Sequence, residues 1–542
     1  MRTWRLLSWA LLAGTLVFGS AGCGRAPEPG ASATRGEVVL RRGNAREPDT
    51  LDPHRAEDES SREILRDLFE GLVGETSTGE LVPGAAESWE VSPDGLSWTF
   101  RLRPDGRWSN GDPLRASDFV AGLRRAVDPA TGNSSAALLT PVEGATEIIS
   151  GRRPPESLGA EAQGDNTLVL RLHSPTPHLP GLLTHPISFP VHGPSLAEHG
   201  EGFVRPGRLV SNGAYRLLEW ELHRHVKLGR NPYFRVPPRI GEVVYLGIDE
   251  PEAELNRYRA GDLDLTAQSP QHRFRWAREN LPGELHVAPY LSTQFWLFNT
   301  RRPPLDDLRV RKALTMAVDR ERLTRLVTGL GEHPAYGLVP PGVANYEAQS
   351  FEWRDESAEV RLEEAKALLA EAGYGPERPL RVEVHYNTDE NLRRIAVAVA
   401  SMWREGLGVE TSLVNEEFRV MLARRKDPQG WQILRLAWTG DYNDASNFLE
   451  ILRRDGAVND TGYADPEFER LLAEAATELD PAQRRRLLES AERRMLEHYP
   501  VLPLYHTVSK HLVKPWVRDF QSNVLNRSYS RHLAVDVEQR GY

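Results

Sequence analysis

Cysteine is almost absent from this 542-residue chain: Cys23 is the only one. A lone thiol closes no internal disulfide, so packing, hydrogen bonds and charge must hold the fold. A basic excess is also missing. Lys and Arg number 67 against 77 Asp and Glu, a net charge of −10. Nucleic-acid binders normally carry a basic footprint, so that class is set aside, and the acidic balance reads as solubility. Beyond Gly19 no run is long and apolar enough to span a bilayer. Enzyme signatures are lacking: there is no G-x-S-x-G elbow, no H-E-x-x-H and no phosphate-binding glycine loop. Acid pairs such as Asp306-Asp307 and Glu363-Glu364 are what a charged surface produces by chance. His223-Arg224-His225 would set two imidazoles on one face of a strand. Without a third ligand they make a poor metal site. We therefore expect no catalytic centre, no cofactor and no metal.

What is present is ordinary globular composition, 40% apolar and 27% charged, in a chain too long for one core. Two or three domains are expected. Met1 to Arg5 is basic, Leu6 to Gly19 is apolar, and the small residues Ser20-Ala21-Gly22 precede Cys23. That order reads as an export signal. Gly24 to Glu37, rich in Gly, Ala, Pro and Ser, reads as a flexible tether. Val38 to Arg42 reads as the first strand, Ser60 to Leu72 as a helix, and Ala86 to Trp108 as short strands. The alternation Trp98-Thr-Phe100-Arg-Leu102 fits a half-buried strand. Ser357 to Ala372 reads as a helix with Val360, Leu362, Ala365, Leu368, Leu369 and Ala372 on one side. Asp480-Pro481 starts another, an N-cap followed by proline at the first helical position. The runs Leu380 to His385 and Gly408 to Leu413 read as strands, giving a mixed α/β chain.

The most informative stretch runs Arg435-Leu-Ala437-Trp438-Thr439-Gly-Asp441. It sets one acid beside an aromatic at the end of a short strand. A carboxylate held there can pair with a free ammonium group, which every peptide N-terminus carries. Further blocks lie in order along the chain. They include Leu51-Asp-Pro-His54, Leu68-Phe-Glu-Gly-Leu72, Ala86-Glu-Ser-Trp89, Trp108-Ser-Asn-Gly-Asp112, Asn212-Gly-Ala-Tyr215, Val310-Arg-Lys-Ala-Leu314 and Leu512-Val-Lys-Pro-Trp-Val517. Together, over residues 38–520, they resemble the periplasmic oligopeptide-binding proteins of ABC importers, the extracellular family 5 solute-binding proteins.

The resemblance implies an α/β fold of the bilobal periplasmic binding protein type 2 class, with an extra domain on the first lobe. Its implied boundaries are a signal peptide at 1–22, a lipidated Cys23 and tether at 23–37, and lobe I at 38–69, 190–291 and 507–542. The extra domain falls at 70–189 and lobe II at 292–506. Chain crossings between lobes fall near Tyr290 and Tyr505. Cys23 is similar to a lipobox cysteine, although Ser20 stands where that pattern prefers leucine; an ordinary cleaved signal is the competing reading. The implied partners are an oligopeptide, permease and ATPase subunits, and a membrane reached through the lipid, with the protein itself a monomer.

By the same resemblance Asp441 holds the ligand's ammonium, and the backbone of Ala437, Trp438 and Thr439 adds to an extended peptide as a strand would. Glu57, Asp58 and Glu59 match the opposing loop; three acids there suggest basic ligands, and a solvated acidic loop is the alternative. Arg425 and Arg435 match basic residues near the ligand's C-terminus, against a competing role as ion-pair partners within the protein. Tyr290, Phe295, Phe418, Trp438 and Tyr505 match positions along the groove. Thr328 and Leu392 stand where such proteins often carry lysine and histidine for the ligand's carboxylate, and Ala121 replaces a groove tyrosine.

Overall fold

The computed structural model describes residues 37–456 and 458–541. The expected signal (1–22), Cys23 and the tether up to residue 36 lie outside the described residues. Two large apolar cores organise what is described. One is built from residues between Leu40 and Tyr245, joined by Leu265, Val513, Val517 and Leu533. The other is built from residues between Leu291 and Tyr505, joined by Val524. We call the bodies around them the first and second lobes.

The first lobe contains a four-stranded sheet in the order Val39–Gly43, Glu242–Leu246, His225–Arg230, Tyr215–Glu221. Its first pair is parallel and the others antiparallel. Within the same core lies a second, antiparallel sheet: Ala86–Val91, Ser97–Leu102, Thr167–Arg171, Ala160–Ala162. Trp98, Phe100 and Leu102 are buried there while Arg101 is exposed, as alternation requires.

The second lobe is built on six strands in the order His333–Pro334, Val501–Leu512, Leu285–Phe298, Ile433–Thr439, Arg381–Asn387, Glu410–Glu416. Leu285–Phe298 and Val501–Leu512 are long and antiparallel, and they pass from one body to the other. Pro289 pairs with Val508, and regular pairing resumes only at Thr293 with His506. The ribbon is thus irregular at Tyr290, between the two cores.

Several expected elements differ in detail. The helix expected to reach Leu72 is Glu59–Leu68. It stops because Asn212 takes both backbone groups of Glu70, donating to its C=O (2.8 Å) and accepting from its N–H (3.1 Å). Gly213 lies against this helix end so closely that a Cβ would sit 2.6 Å from the Leu68 carbonyl carbon. Helix Ala358–Glu371 is capped by Ser357, but Val360 is 54% exposed rather than inward. Arg361 is buried instead, donating to the Tyr336 hydroxyl (2.8 Å). Pattern reading expects an apolar residue at such a place, and here a guanidinium stacked near Tyr336 and Trp353 fills it. Helix Pro481–His498 starts at the Asp480 cap as expected. His223 sits in a turn at φ +59°, so it shares no strand face with His225, which pairs with Glu219 (3.0 Å).

Candidate functional site

Strand Ile433–Thr439 carries the informative stretch. Gly440, just past its end, donates its N–H to the Leu291 carbonyl (2.8 Å). Alternate residues of an antiparallel strand direct their backbone groups to the same neighbour. Trp438 and Leu436 therefore face strand Leu285–Phe298, and Ala437 and Thr439 turn their N–H and C=O the other way. On that side strand Arg381–Asn387 pairs only with Ile433 and Leu434. Beyond Leu434 the edge is open: no described strand pairs with it. The Trp438 indole is fixed by donating to Asn447 (2.8 Å), and Thr439 Oγ1 donates to Ser292 Oγ (3.0 Å).

Asp441 ends this edge. Its carboxylate makes no hydrogen bond or ion pair to another described side chain; only its backbone carbonyl is engaged, by Arg527 (3.5 Å). It is open to the solvent of the cleft, yet the protein packed around it raises its pKa above the ordinary 3.8, with Arg62 and Arg527 opposing that rise. It lines a cavity of ≈ 320 Å³ with Thr439, Gly440, Tyr290 and Leu291 on one side. Glu59, Arg62, Arg66, His185 and Arg527 supply the opposite, first-lobe side.

That opposite wall is fully cross-linked. Glu59 pairs with Arg62 (3.0 Å) and Arg66 (2.6 Å), and these cations pull its carboxyl down to about 2 against a burial effect that raises it. Arg527 pairs with the buried Glu75 (2.6 Å), which also accepts from Tyr529 (2.7 Å). Burial first, then Arg62, Arg527 and Arg66, depress the His185 pKa, so this imidazole is neutral; its Nδ1 accepts from the Ile187 N–H. Each acid of the Glu57-Asp58-Glu59 loop has a hydrogen-bonding partner within the protein. Asp58 caps helix Glu59–Leu68, accepting from Ser61 N (2.8 Å) and Oγ (2.5 Å). Glu57 is spent on Ser134, and Glu59 on two arginines. Only Glu59 has its charge met by cations and lines the Asp441 cavity; Glu57 and Asp58 are engaged by neutral donors outside that lining.

Arg435 lies lower on the same strand. It donates to Gln294 (2.5 Å) and Asn387 (3.2 Å), both neutral amides, and its Nε is buried without a partner. Burial lowers its pKa, yet a guanidinium stays charged. Among the described residues it has no carboxylate partner. Leu392, Tyr386 and Tyr505 line the narrow crevice beside it.

Other expected site residues stand elsewhere. Arg425 pairs with Asp460 (2.7 Å), so the internal ion pair is the observed role. Phe295 is fully buried in the second core, because its strand is central in the sheet and covered on both faces. Phe418 is 48% exposed at the start of helix Phe418–Arg425. Thr328 donates to Glu332 (2.9 Å), and Ala121 is exposed on helix Ala116–Val127. Sequence reasoning missed Arg62, Arg66 and Arg527. The first two sit at i and i+4 of one helix, but Arg527 arrives from the chain end, and no local pattern announces it.

Comparison with known proteins fits this geometry. The family model of the bacterial extracellular solute-binding proteins, family 5 Middle, matches residues 80–460. The periplasmic oligopeptide-binding protein OppA of Escherichia coli K12 is 37% identical over 533 residues, covering 97% of this chain and 96% of that protein. The unliganded open form of MppA, a periplasmic murein tripeptide binding protein, superposes with a TM-score of 0.88 at 35% identity, over 92% of this chain and 98% of the other. Haemophilus influenzae OppA in complex with the peptide RPPGFSPFR gives 0.69 at 34% identity, over 92% and 99%. The chain belongs to the bacterial extracellular solute-binding proteins, family 5.

Proposed function

We propose that this protein is an exported receptor that captures oligopeptides and delivers them to the permease of an ABC importer, doing no chemistry itself. One observation carries the reading: the unpaired Asp441 carboxylate stands at the end of an open strand edge. A peptide whose ammonium meets Asp441 runs antiparallel along that edge, bonding Ala437 and Thr439 through its backbone. Such bonds ignore side-chain identity. At ~3.4 Å per residue the stretch back to Arg435 spans about 20 Å. A ligand of roughly five to six residues thus brings its carboxylate to the unpaired guanidinium, which can hold it by two parallel bonds.

Lobe closure excludes water from this pairing and strengthens it. The irregular ribbon at Tyr290 is the hinge in this reading, and the higher superposition on the open form supports an open state here. ATP is hydrolysed by partner subunits. Lipid on Cys23 anchors the receptor, a monomer, to the membrane from which the tether extends.

Native mass spectrometry of the gently purified protein tests the reading. A mixture of short peptides is expected on denaturing release; a single non-peptide species would sink it. Cys23→Ser should move the protein out of the membrane fraction, and continued attachment would remove the lipid anchor.

A further inference from the structure

A second concavity lies on the second lobe and shares no lining residue with the Asp441 cavity. Helix Glu390–Leu407 buries Ile395, Ala396, Val399 and Trp403 in the core. Its other side presents Val397, Ala398 and Met402. Leu326 and Val327 face them from the widened turn Leu323–Thr328, and the groove between measures ≈ 460 Å³. Leu326 is 66% exposed and Val397 50% exposed. Large apolar side chains displayed in one concave patch mark interaction surfaces.

The rim is predominantly positive. Arg322, Arg393 and Arg394 line it against a single acid, Glu405. The Arg322 guanidinium makes no hydrogen bond or ion pair with another described residue; only its backbone N–H is engaged, by Asp319 (2.8 Å). Arg393 reaches only Glu390, at 3.4 Å on the exposed surface, where a pair contributes little. Arg394 donates to the Val327 carbonyl, tying the two walls together.

We propose that this groove docks an apolar segment bearing acidic side chains, supplied by the membrane-embedded permease; this rests on the import reading above. The three rim cations select for the acids, and the groove floor takes the apolar face. A lipid surface fits less well. Membrane insertion uses protruding apolar side chains rather than a depression, and a chain of net charge −10 is repelled by anionic headgroups.

The test uses the full chain in cells lacking their own copy, with a labelled pool of five- and six-residue peptides as the imported probe. Leu326→Asp and the double variant Arg322→Glu/Arg393→Glu change exposed side chains, so folding should persist. Each purified variant should bind the pool within twofold of wild type while uptake falls at least tenfold. Uptake by both variants at the wild-type rate overturns the docking groove and leaves the import reading standing. A wild type that imports no peptide overturns the import reading itself. If soluble Cys23→Ser protein pellets with phosphatidylglycerol vesicles, and the double variant abolishes pelleting, the occupant is lipid and the permease assignment is overturned.

Discussion

The two walls of the cleft are built on opposite principles. On the first lobe the charges are paired: Glu59 with Arg62 and Arg66, Arg66 also with Glu63, and Arg527 separately with Glu75. On the second, Asp441 and Arg435 are charges without an opposite charge, and the strand between them has an open edge. Buried charge is tolerated where it is paired, and unpaired charge is costly. A satisfied wall has little to give a ligand beyond shape. An unsatisfied wall gains by binding, because the ligand supplies the missing partners. In the proposed function, recognition therefore falls to the second lobe and framework to the first.

Breaking the framework gives the largest expected effect. Glu75→Ala strands the Arg527 guanidinium, both side chains being under a tenth exposed. It should cost about 3–5 kcal/mol of stability in chemical denaturation. A loss confined to peptide affinity, with stability intact, would reverse the assignment of roles.

Breaking the recognition wall comes next. Asp441→Ala should weaken peptide binding by about 2–5 kcal/mol, read by calorimetry, with little change in unfolding midpoint. Acid should do the same. The free Asp441 carboxyl has a raised pKa, and a bound ammonium favours the ionised form and lowers it. Affinity is thus complete above the raised value and is lost as pH falls through it, so the loss sets in at higher pH than for an ordinary aspartate. Asp441→Asn should flatten that pH profile.

Arg435→Gln should weaken five- and six-residue peptides by about 1.5–3 kcal/mol. C-terminally amidated versions should bind wild type and variant alike. Equal losses for both would mean the guanidinium shapes the crevice without meeting the carboxylate. The smallest effect should come from Glu57→Ala: this exposed side chain serves only Ser134, and neither affinity nor stability should move measurably.

Much of the fold was legible where chemistry is local. The Asp480-Pro481 start, the Ser357 cap and the alternation of Trp98, Phe100 and Leu102 depend on neighbours a few residues away. The end of helix Glu59–Leu68 is not legible locally, because its stop is Asn212, far along the chain. Phe295 looks like a wall residue in the sequence because an aromatic on a strand looks the same whether its sheet is covered on one face or two. The charges of Glu57, Asp58 and Glu59 are visible in the sequence, and their partners Ser134, Ser61, Arg62 and Arg66 are not. Arg425 and Arg435 look alike on the page, and only packing gives one Asp460 and the other two neutral amides.

By itself, the sequence determined the residue types that the proposed recognition uses: an acid after Thr439-Gly440, an arginine six positions before it, and an apolar strand between. Tertiary structure alone decided which charges remain unpaired. Ion pairing depends on distances across the fold rather than along the chain, and Arg527 reaches Glu75 across 452 positions. The same holds for the open edge of Ile433–Thr439. A strand's free hydrogen-bonding groups exist only because its neighbour, Arg381–Asn387, meets it at two residues and then diverges.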